Sequence, residues 1–456
     1  MTAAGGARDA LAQLEHLVAT FSPVRDAVLV GGKVAEIGAG HYRIAGLGRR
    51  SEVRDILLAA DDERPIAEIS RLDVSDAVAI PFDRDTRLRI GDHVFRQGPL
   101  EIAPSPAWLG RTLDALAQPI DRRGPLPGGS KARSIFASSP AALTRRRITQ
   151  GISTGVKAVD LFTPLCVGQR VGIFAGSGVG KSTLIGMLAT AEGFDVIVVG
   201  LIGERGREVR EFIESTLGPS LERAVTVVAT GDESALLRRT AAYTAVTVAE
   251  HFRDEGHSVL LVMDSVTRLA LAAREIAIAQ GEPPVSRGFP PSVFADLPRL
   301  LERSGPGPEG AGDITGVFAV LVDGDDHNDP VADTVRGILD GHIVLDRAVA
   351  AQGRYPAVDI PASLSRLAHI ALSPERQAFS AKFRNLVAIF EESRDLRAMG
   401  GYQSGLDPDL DAAVAIVPGL YSLIGQPREA GPAGDVFKEV ADMLSANLSS
   451  GTRRLT

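Results

Sequence analysis

Apolar and polar positions along this chain fall into four textures. In residues 8–21, Leu11, Leu14, Val18 and Phe21 recur three or four apart, with Asp9, Gln13, Glu15 and His16 between them. That spacing predicts one amphipathic helix. It packs on its own domain or docks a partner or membrane surface, and the pattern leaves both readings open. From Asp26 to about Arg96 the chain runs in short alternating stretches: Ala27–Val30, Lys33–Ile37, His41–Ala45, Glu52–Leu58, Ile66–Leu72 and Ala77–Ile80. Gly-rich or polar clusters separate them. Strands at this spacing predict a small antiparallel barrel.

Residues 97–150 are rich in Pro, Gly and Arg and read as a connector, with Arg145-Arg146-Arg147 as a solvated turn. From Gly151 to about Ile370, runs of Val, Ile and Leu alternate with helical patterns. The runs are Val171–Phe174, Val196–Leu201, Val225–Ala229, Val259–Met263 and Val317–Val322. Near-continuous apolar strands with helices between them predict a parallel sheet covered on both faces. Beyond Ser373-Pro374 the pattern turns helical, with Phe379, Phe383, Leu386, Val387 and Phe390 in one stripe. The expected organisation is an N-terminal segment 1–25, a barrel 26–96, a connector with an α/β domain 97–370, and a helical domain 371–456.

Composition narrows the class. A chain of 456 residues exceeds what one core usually supports, and 45% apolar with 23% charged residues is ordinary for a globular protein. A net charge of −8 argues against a general nucleic-acid binder, and the barrel strands lack the interleaved aromatic and basic residues that stack bases. Cys166 is the single cysteine, so no internal disulfide forms. No apolar run reaches the roughly 20 residues that span a bilayer. No secretion signal is recognisable at the start. The expected location is the cytoplasm, with any membrane contact made through partners.

The strongest chemical signal joins Val171–Phe174 to a helix beginning at Thr183 through Ala175-Gly176-Ser177-Gly178-Val179-Gly180-Lys181-Ser182. Strand, Gly-rich loop and helix in this order cradle phosphates. Glycines let consecutive N–H groups curl around an oxyanion, and the helix directs its positive end at the same anion. Lys181 adds a full charge at the terminal phosphates and Ser182 a hydroxyl for Mg²⁺. The loop pattern expects glycine where Ala175 stands, a small departure.

Two further strands end in carboxylates. Ser258–Asp264 closes on Asp264, which either orders Mg²⁺ or caps the next helix. Val196–Leu201 opens into Gly203-Glu204-Arg205-Gly206-Arg207. Hydrolysis of a phosphoanhydride needs a carboxylate that takes the proton of the attacking water. Glu204 fills that role or forms a salt-bridged helix start with Arg205 or Arg207, and spacing does not choose between them. Asp323–Pro330 holds four carboxylates. It lacks the Gly and Glu of a calcium loop, which leaves a loop at the sheet's carboxyl edge.

Several stretches together resemble the rotary ATP synthase catalytic-subunit family: Gly110–Asp121, Ala175–Thr183, Gly203–Val209, Met263–Arg268 and Tyr355–Asp359. Within it, Arg274–Pro284, Arg287–Arg303 and Val331–His342 are similar to the type III export ATPases, the flagellar members most of all. The resemblance covers nearly everything after about residue 25. It implies a small N-terminal β-barrel, a RecA-like P-loop parallel-sheet core and a C-terminal helical domain, working as a homohexamer on Mg²⁺ and ATP. Carried across, Gly176, Ser177, Gly178, Val179, Gly180, Lys181, Ser182 and Thr183 hold the nucleotide, and Ser182 and Asp264 hold the metal. Glu204 becomes the catalytic glutamate, and Arg366 the arginine that reaches a neighbour's site. Tyr355 lines the adenine pocket, with a core tyrosine as the alternative. Ala175 is usual for export members. The partners implied are an export regulator, a stalk and chaperone–cargo proteins of a secretion apparatus, with no nucleic acid. Injectisome ATPases share this chemistry and differ in cargo.

Overall fold

The alternation in the first hundred residues resolves into six antiparallel strands: β1 (Val30–Gly38), β2 (His41–Ala45), β3 (Asp55–Ala59), β4 (Pro65–Leu72), β5 (Asp76–Pro81) and β6 (His93–Pro99). They close as a barrel in the order β1-β2-β5-β4-β3-β6. These coordinates come from a computed structural model that describes residues 30–38, 40–60, 64–83, 88–322 and 329–452. The amphipathic stretch 8–21, most of Ala27–Val30 and the acidic loop from Asp323 to Asn328 lie outside the described residues.

Ile44, Leu47, Ala67, Ile69, Ala77, Ala79 and Val94 fill the barrel. Gly31-Gly32, which the alternation reads as a break, sits inside β1. A Cβ on Gly32 would fall 2.6 Å from Ile44 and 2.7 Å from Leu47, so the strand crosses that core only as glycine. Strand β6 closes the barrel, although the sequence reading assigned no strand there.

Contacts divide the chain at Leu100. The second unit is built on a sheet whose strands are β7 (Thr112–Leu113), β8 (Arg170–Ala175), β9 (Val196–Glu204), β10 (Ala224–Thr230), β11 (Ser258–Asp264), β12 (Asp313–Leu321), β13 (Gly341–Leu345) and β14 (Val358–Ser365). Their spatial order is β14-β13-β8-β12-β11-β9-β10-β7. Every pairing along this path is parallel except β13 with β14. All five expected runs of apolar residues are strands, each slightly longer than its run. The helices α1 (Lys181–Ala189), α2 (Ala235–Asp254) and α3 (Val266–Ala279) connect them. Because β8, β9 and β11 run parallel, their carboxyl ends, and the loops that follow them, gather at one edge.

Beyond the sheet, α4 (Pro374–Glu392) carries the expected stripe. Phe383, Leu386 and Val387 are buried and share a core with Val417 and Leu420 of α5 (Pro408–Ile424) and with the sheet itself.

The stretch from 101 to 150 is more than a connector. Trp108 is buried and its indole N–H donates to Pro127 O, while Arg111 pairs with Asp121 at 2.6 Å. Two arginines of the triplet are tied down, while Arg147 is exposed. Arg145 donates to the carbonyl of Pro140 (3.1 Å) and Arg146 to Asp313 (2.8 Å) and Ala311 O (2.8 Å). Irregular backbone of this kind is held by guanidinium forks rather than by a repeating pattern, and hydrophobic periodicity therefore does not reveal it.

Candidate functional site

Five residues of loop connect β8 to α1, and their conformation follows from their composition. Gly178 and Gly180 have φ of +79° and +100°, a region closed to most side chains. Gly180 is the N-cap of α1, which turns the first N–H groups of that helix toward the loop. Val179 between them is buried in the sheet's core and pins the loop down.

A cavity of about 420 Å³ opens over this loop. Gly176, Ser177, Gly178, Gly180, Lys181, Ser182 and Thr183 line one side, and Glu204 and Asp264 line another. Asp264 is buried at the end of β11. It does not cap the following helix: Ser265 does, accepting from the Arg268 N–H at 3.3 Å. Asp264 is therefore available to Lys181, whose ammonium forms an ion pair with it.

Glu204 ends β9, placed by Gly203, whose φ is +72°. A Cβ at Gly203 would lie 3.0 Å from Arg268, so glycine at this turn lets the Arg268 stem pack close. The salt-bridged helix start does not form through Arg205, which pairs with Glu208 at 3.4 Å. Instead Glu204 Oε1 lies 3.8 Å from Lys181 Nζ and has no hydrogen-bond donor. Burial, followed by the negative charge of Asp264, raises the Glu204 pKa to about 7 against the pull of Lys181. A carboxyl tuned to neutrality beside a phosphate-shaped loop can exchange a proton at working pH.

The geometry does not bring every expected residue together. Tyr355 is 46% exposed, which removes the core-tyrosine alternative. Its ring stands beside Gly180, 3.8 Å from where a Cβ there would lie, but it does not line the loop cavity. Arg366 lies at the far end of the sheet. Its N–H donates to Asp340 O at 2.9 Å, and the Asp340 N–H donates to Arg170 O at 2.9 Å, level with the first residue of β8. The phosphate loop follows the last residue of that strand. Roughly 20 Å of strand therefore separates Arg366 from Lys181 in the same chain.

Other cavity residues went unassigned in the sequence. Arg268 follows Asp264 by one helical turn, a spacing that points it back at the strand end. Phe212 and Thr216 come from the π-helical turn Phe212–Leu217, and Arg428 comes from the chain beyond α5. No local pattern announces these three.

A strand–loop–helix phosphate cradle at the carboxyl edge of a parallel sheet, faced by two buried carboxylates, defines a P-loop nucleotide-binding ATPase. Residues 155–365 match the ATP synthase alpha/beta family, nucleotide-binding domain, and residues 372–435 match the T3SS EscN ATPase C-terminal domain. The flagellum-specific ATP synthase of Rhizobium meliloti is 52% identical over 96% of this chain and 94% of its own length. The type 3 secretion system ATPase of Xanthomonas euvesicatoria is 44% identical over 87% of this chain and 90% of its own. Among solved structures, the assembled ATPase EscN from the enteropathogenic E. coli type III secretion system superposes with a TM-score of 0.83 at 39% identity. That match covers 91% of this chain and 100% of EscN. The chain belongs to the ATP synthase alpha/beta family, in the group formed by the flagellum-specific and type 3 secretion ATPases.

Proposed function

We propose that this chain hydrolyses Mg-ATP to energise flagellar type III protein export, acting as a ring hexamer with sites at subunit seams. The observation that carries the chemistry is the meeting of Lys181, Glu204 and Asp264 over the glycine loop. The flagellar assignment rests on relatives such as the flagellum-specific ATP synthases of Rhizobium meliloti and Agrobacterium fabrum, at 52% and 50% identity. An injectisome ATPase is the second reading, favoured by the likeness to EscN.

Loop amides and Lys181 bind the β- and γ-phosphates. The Ser182 hydroxyl and Asp264 carboxylate form an all-oxygen set suited to a hard cation that keeps water and phosphate as its remaining ligands. Among the described residues no cluster of three metal-ligating side chains occurs, which fits Mg²⁺ shared with a nucleotide and not a protein-built cage. When bound, Mg²⁺ neutralises charge on the phosphates. Glu204 accepts the proton of a water that attacks the γ-phosphorus as the bond to the ADP oxygen breaks. Arg366 of one chain stabilises the charge developing in a neighbour's site, a role consistent with its distance from its own loop. Tyr355, at the rim beside Gly180, offers its ring to the adenine.

Partners follow from the same reading: a central stalk, as in the structure of EscN in complex with its central stalk EscO, together with an export regulator and chaperone–cargo proteins. Among the described residues no helix is long and apolar enough to cross a membrane. The protein works in the cytoplasm and meets the inner membrane face through those partners. The test is ATPase activity against protein concentration, with particle imaging of the assembled species, and a motility and export assay of a strain lacking the chain. Activity that is independent of concentration, or intact motility, rejects the proposal.

A further inference from the structure

The strand that leads to Arg366 is irregular just before it. From Val344 to His342, two steps along β13, the pairing on β14 passes from Asp359 to Leu364, five steps, so residues 360–363 stand out of the ladder as a bulge. Ile360 and Ser363, the first and last residues of that bulge, are both buried. The ladder pairs neither of them, and buried carbonyls need donors from somewhere.

The donors come from the helical domain. One terminal nitrogen of the Arg384 guanidinium, on α4, donates to Ile360 O and, at 2.8 Å, to Ser363 O. The other donates to Phe162 O, at the end of the short helix Lys157–Phe162. Ser380, one turn earlier on α4, donates to Leu161 O at 2.6 Å, so α4 grips that helix end twice. A planar fork with fixed donor directions suits this triple contact better than a single ammonium would.

Beyond the bulge, Leu364 and Ser365 rejoin β13 opposite His342 and Gly341, and the Ser365 hydroxyl donates to Pro164 O at 2.7 Å. Arg366 follows at once and is exposed. Where its side chain leaves the sheet is therefore set by how much chain the bulge takes up. A slip of one residue would slide the strand about 3.3 Å and turn every side chain to the opposite face. A guanidinium that must meet developing charge in another copy does not tolerate such a slip.

We infer that Arg384 is a positioning residue for Arg366: holding both ends of the bulge from α4, it fixes where the seam guanidinium projects and ties that projection to the helical domain. The inference rests on the proposed action of Arg366 in a neighbouring copy.

The test uses full-length chains, alone and mixed. Arg384→Ala should lower kcat about 10²-fold, the cost of an ångström of misplacement, with Mg-ADP affinity little changed. Arg384→Lys should recover part of that loss. Arg366→Ala combined with Arg384→Ala in one chain should be no slower than Arg366→Ala alone. Mixed with Glu204→Gln chains, Arg384→Ala chains should regain activity, because some sites then receive a correctly held arginine. Mixed with Arg366→Ala chains they should not, because no copy supplies one. A gain in that second mixture overturns the inference, since the defect then lies in each chain's own site. An unchanged kcat, a slower double variant, or no gain with Glu204→Gln overturns it too. Should Arg384→Ala not fold, Arg384→Lys is read in the same mixtures with the same outcomes. A fully active Arg366→Ala chain rejects the seam reading itself, and the inference with it.

Discussion

Lys181 Nζ stands 3.8 Å from Glu204 Oε1 while ion-paired with Asp264, so one ammonium serves two buried carboxylates contributed by different strands. The residue proposed to bind phosphate thereby opposes the burial and the Asp264 charge that hold the proton on the residue proposed to activate water.

Lys181→Ala should abolish nucleotide binding or turnover. It also removes the ammonium that pairs with Asp264 and lies beside Glu204, and the stability loss should grow as pH rises and Glu204 ionises. Thermal melts at pH 5 and pH 8 check this, and a loss equal at the two values contradicts the arrangement.

Glu204→Gln should retain ATP affinity while lowering kcat by about 10² or more. Steady-state kinetics paired with a binding measurement separates the two effects, and an unchanged kcat would place the base elsewhere.

The pH dependence of Glu204 has a defined sign. Its folded pKa, pushed up to about 7, lies above the ordinary carboxyl value of 4.5, so the folded chain holds the proton more tightly than the unfolded chain. Its contribution to stability is complete below that ordinary value and is lost as pH rises through about 7. Glu204→Gln should therefore raise the melting temperature more at pH 8 than at pH 5. The acid limb of kcat/KM, expected near 7 in the free enzyme, should vanish in the same variant.

Arg366 should act only between chains. Specific activity should rise with protein concentration, and a mixture of Glu204→Gln with Arg366→Ala chains should exceed either variant alone. Some mixed seams carry both intact residues. A mixture that never exceeds its components rejects the arrangement.

Arg303 fastens the region before the sheet to its core. It is 2% exposed, pairs with Glu250 at 2.6 Å and also reaches Ile135 O at 2.5 Å and Thr247 Oγ1 at 2.8 Å. Arg303→Ala strands a buried carboxylate and should cost about 3–5 kcal/mol. Arg303→Ala with Glu250→Ala should recover part of that, measured by chemical denaturation.

Five adjacent strands of the sheet, β8 to β12, and the phosphate loop were legible because those strands are near-continuous apolar runs and the loop glycines have fixed spacing. Strands β7, β13 and β14 went unread: β7 has only two residues, and Gly341-His342 in β13 and Asp359 with Pro361 and Ser363 in β14 give no such run. Asp264 could be read off as the polar terminus of such a run. Glu204 could not be settled by spacing, because Arg205 and Arg207 offered it partners as near in sequence as Lys181 is in space. Strand β6 escaped notice: His93, Arg96 and Gln97 interrupt its apolar positions, and its burial comes from neighbours distant in sequence. The cavity's far wall was likewise invisible, since Thr216 and Arg428 are brought together only by tertiary packing. Gly32 misled in the opposite direction, looking like a turn while serving as clearance inside a strand.

The antiparallel edge formed by β14 gives one subunit two unlike faces. The guanidinium that leaves its end and the loop that would receive a guanidinium sit at opposite ends of the same sheet. Under the proposed seam, an association that satisfies one face exposes the other, so copies joined through it would run head to tail, and the chain of copies would end only by closing on itself. In that arrangement a missing arginine and a missing glutamate in one copy would silence different flanks, and the position of a defect among the copies would be as informative as its chemistry.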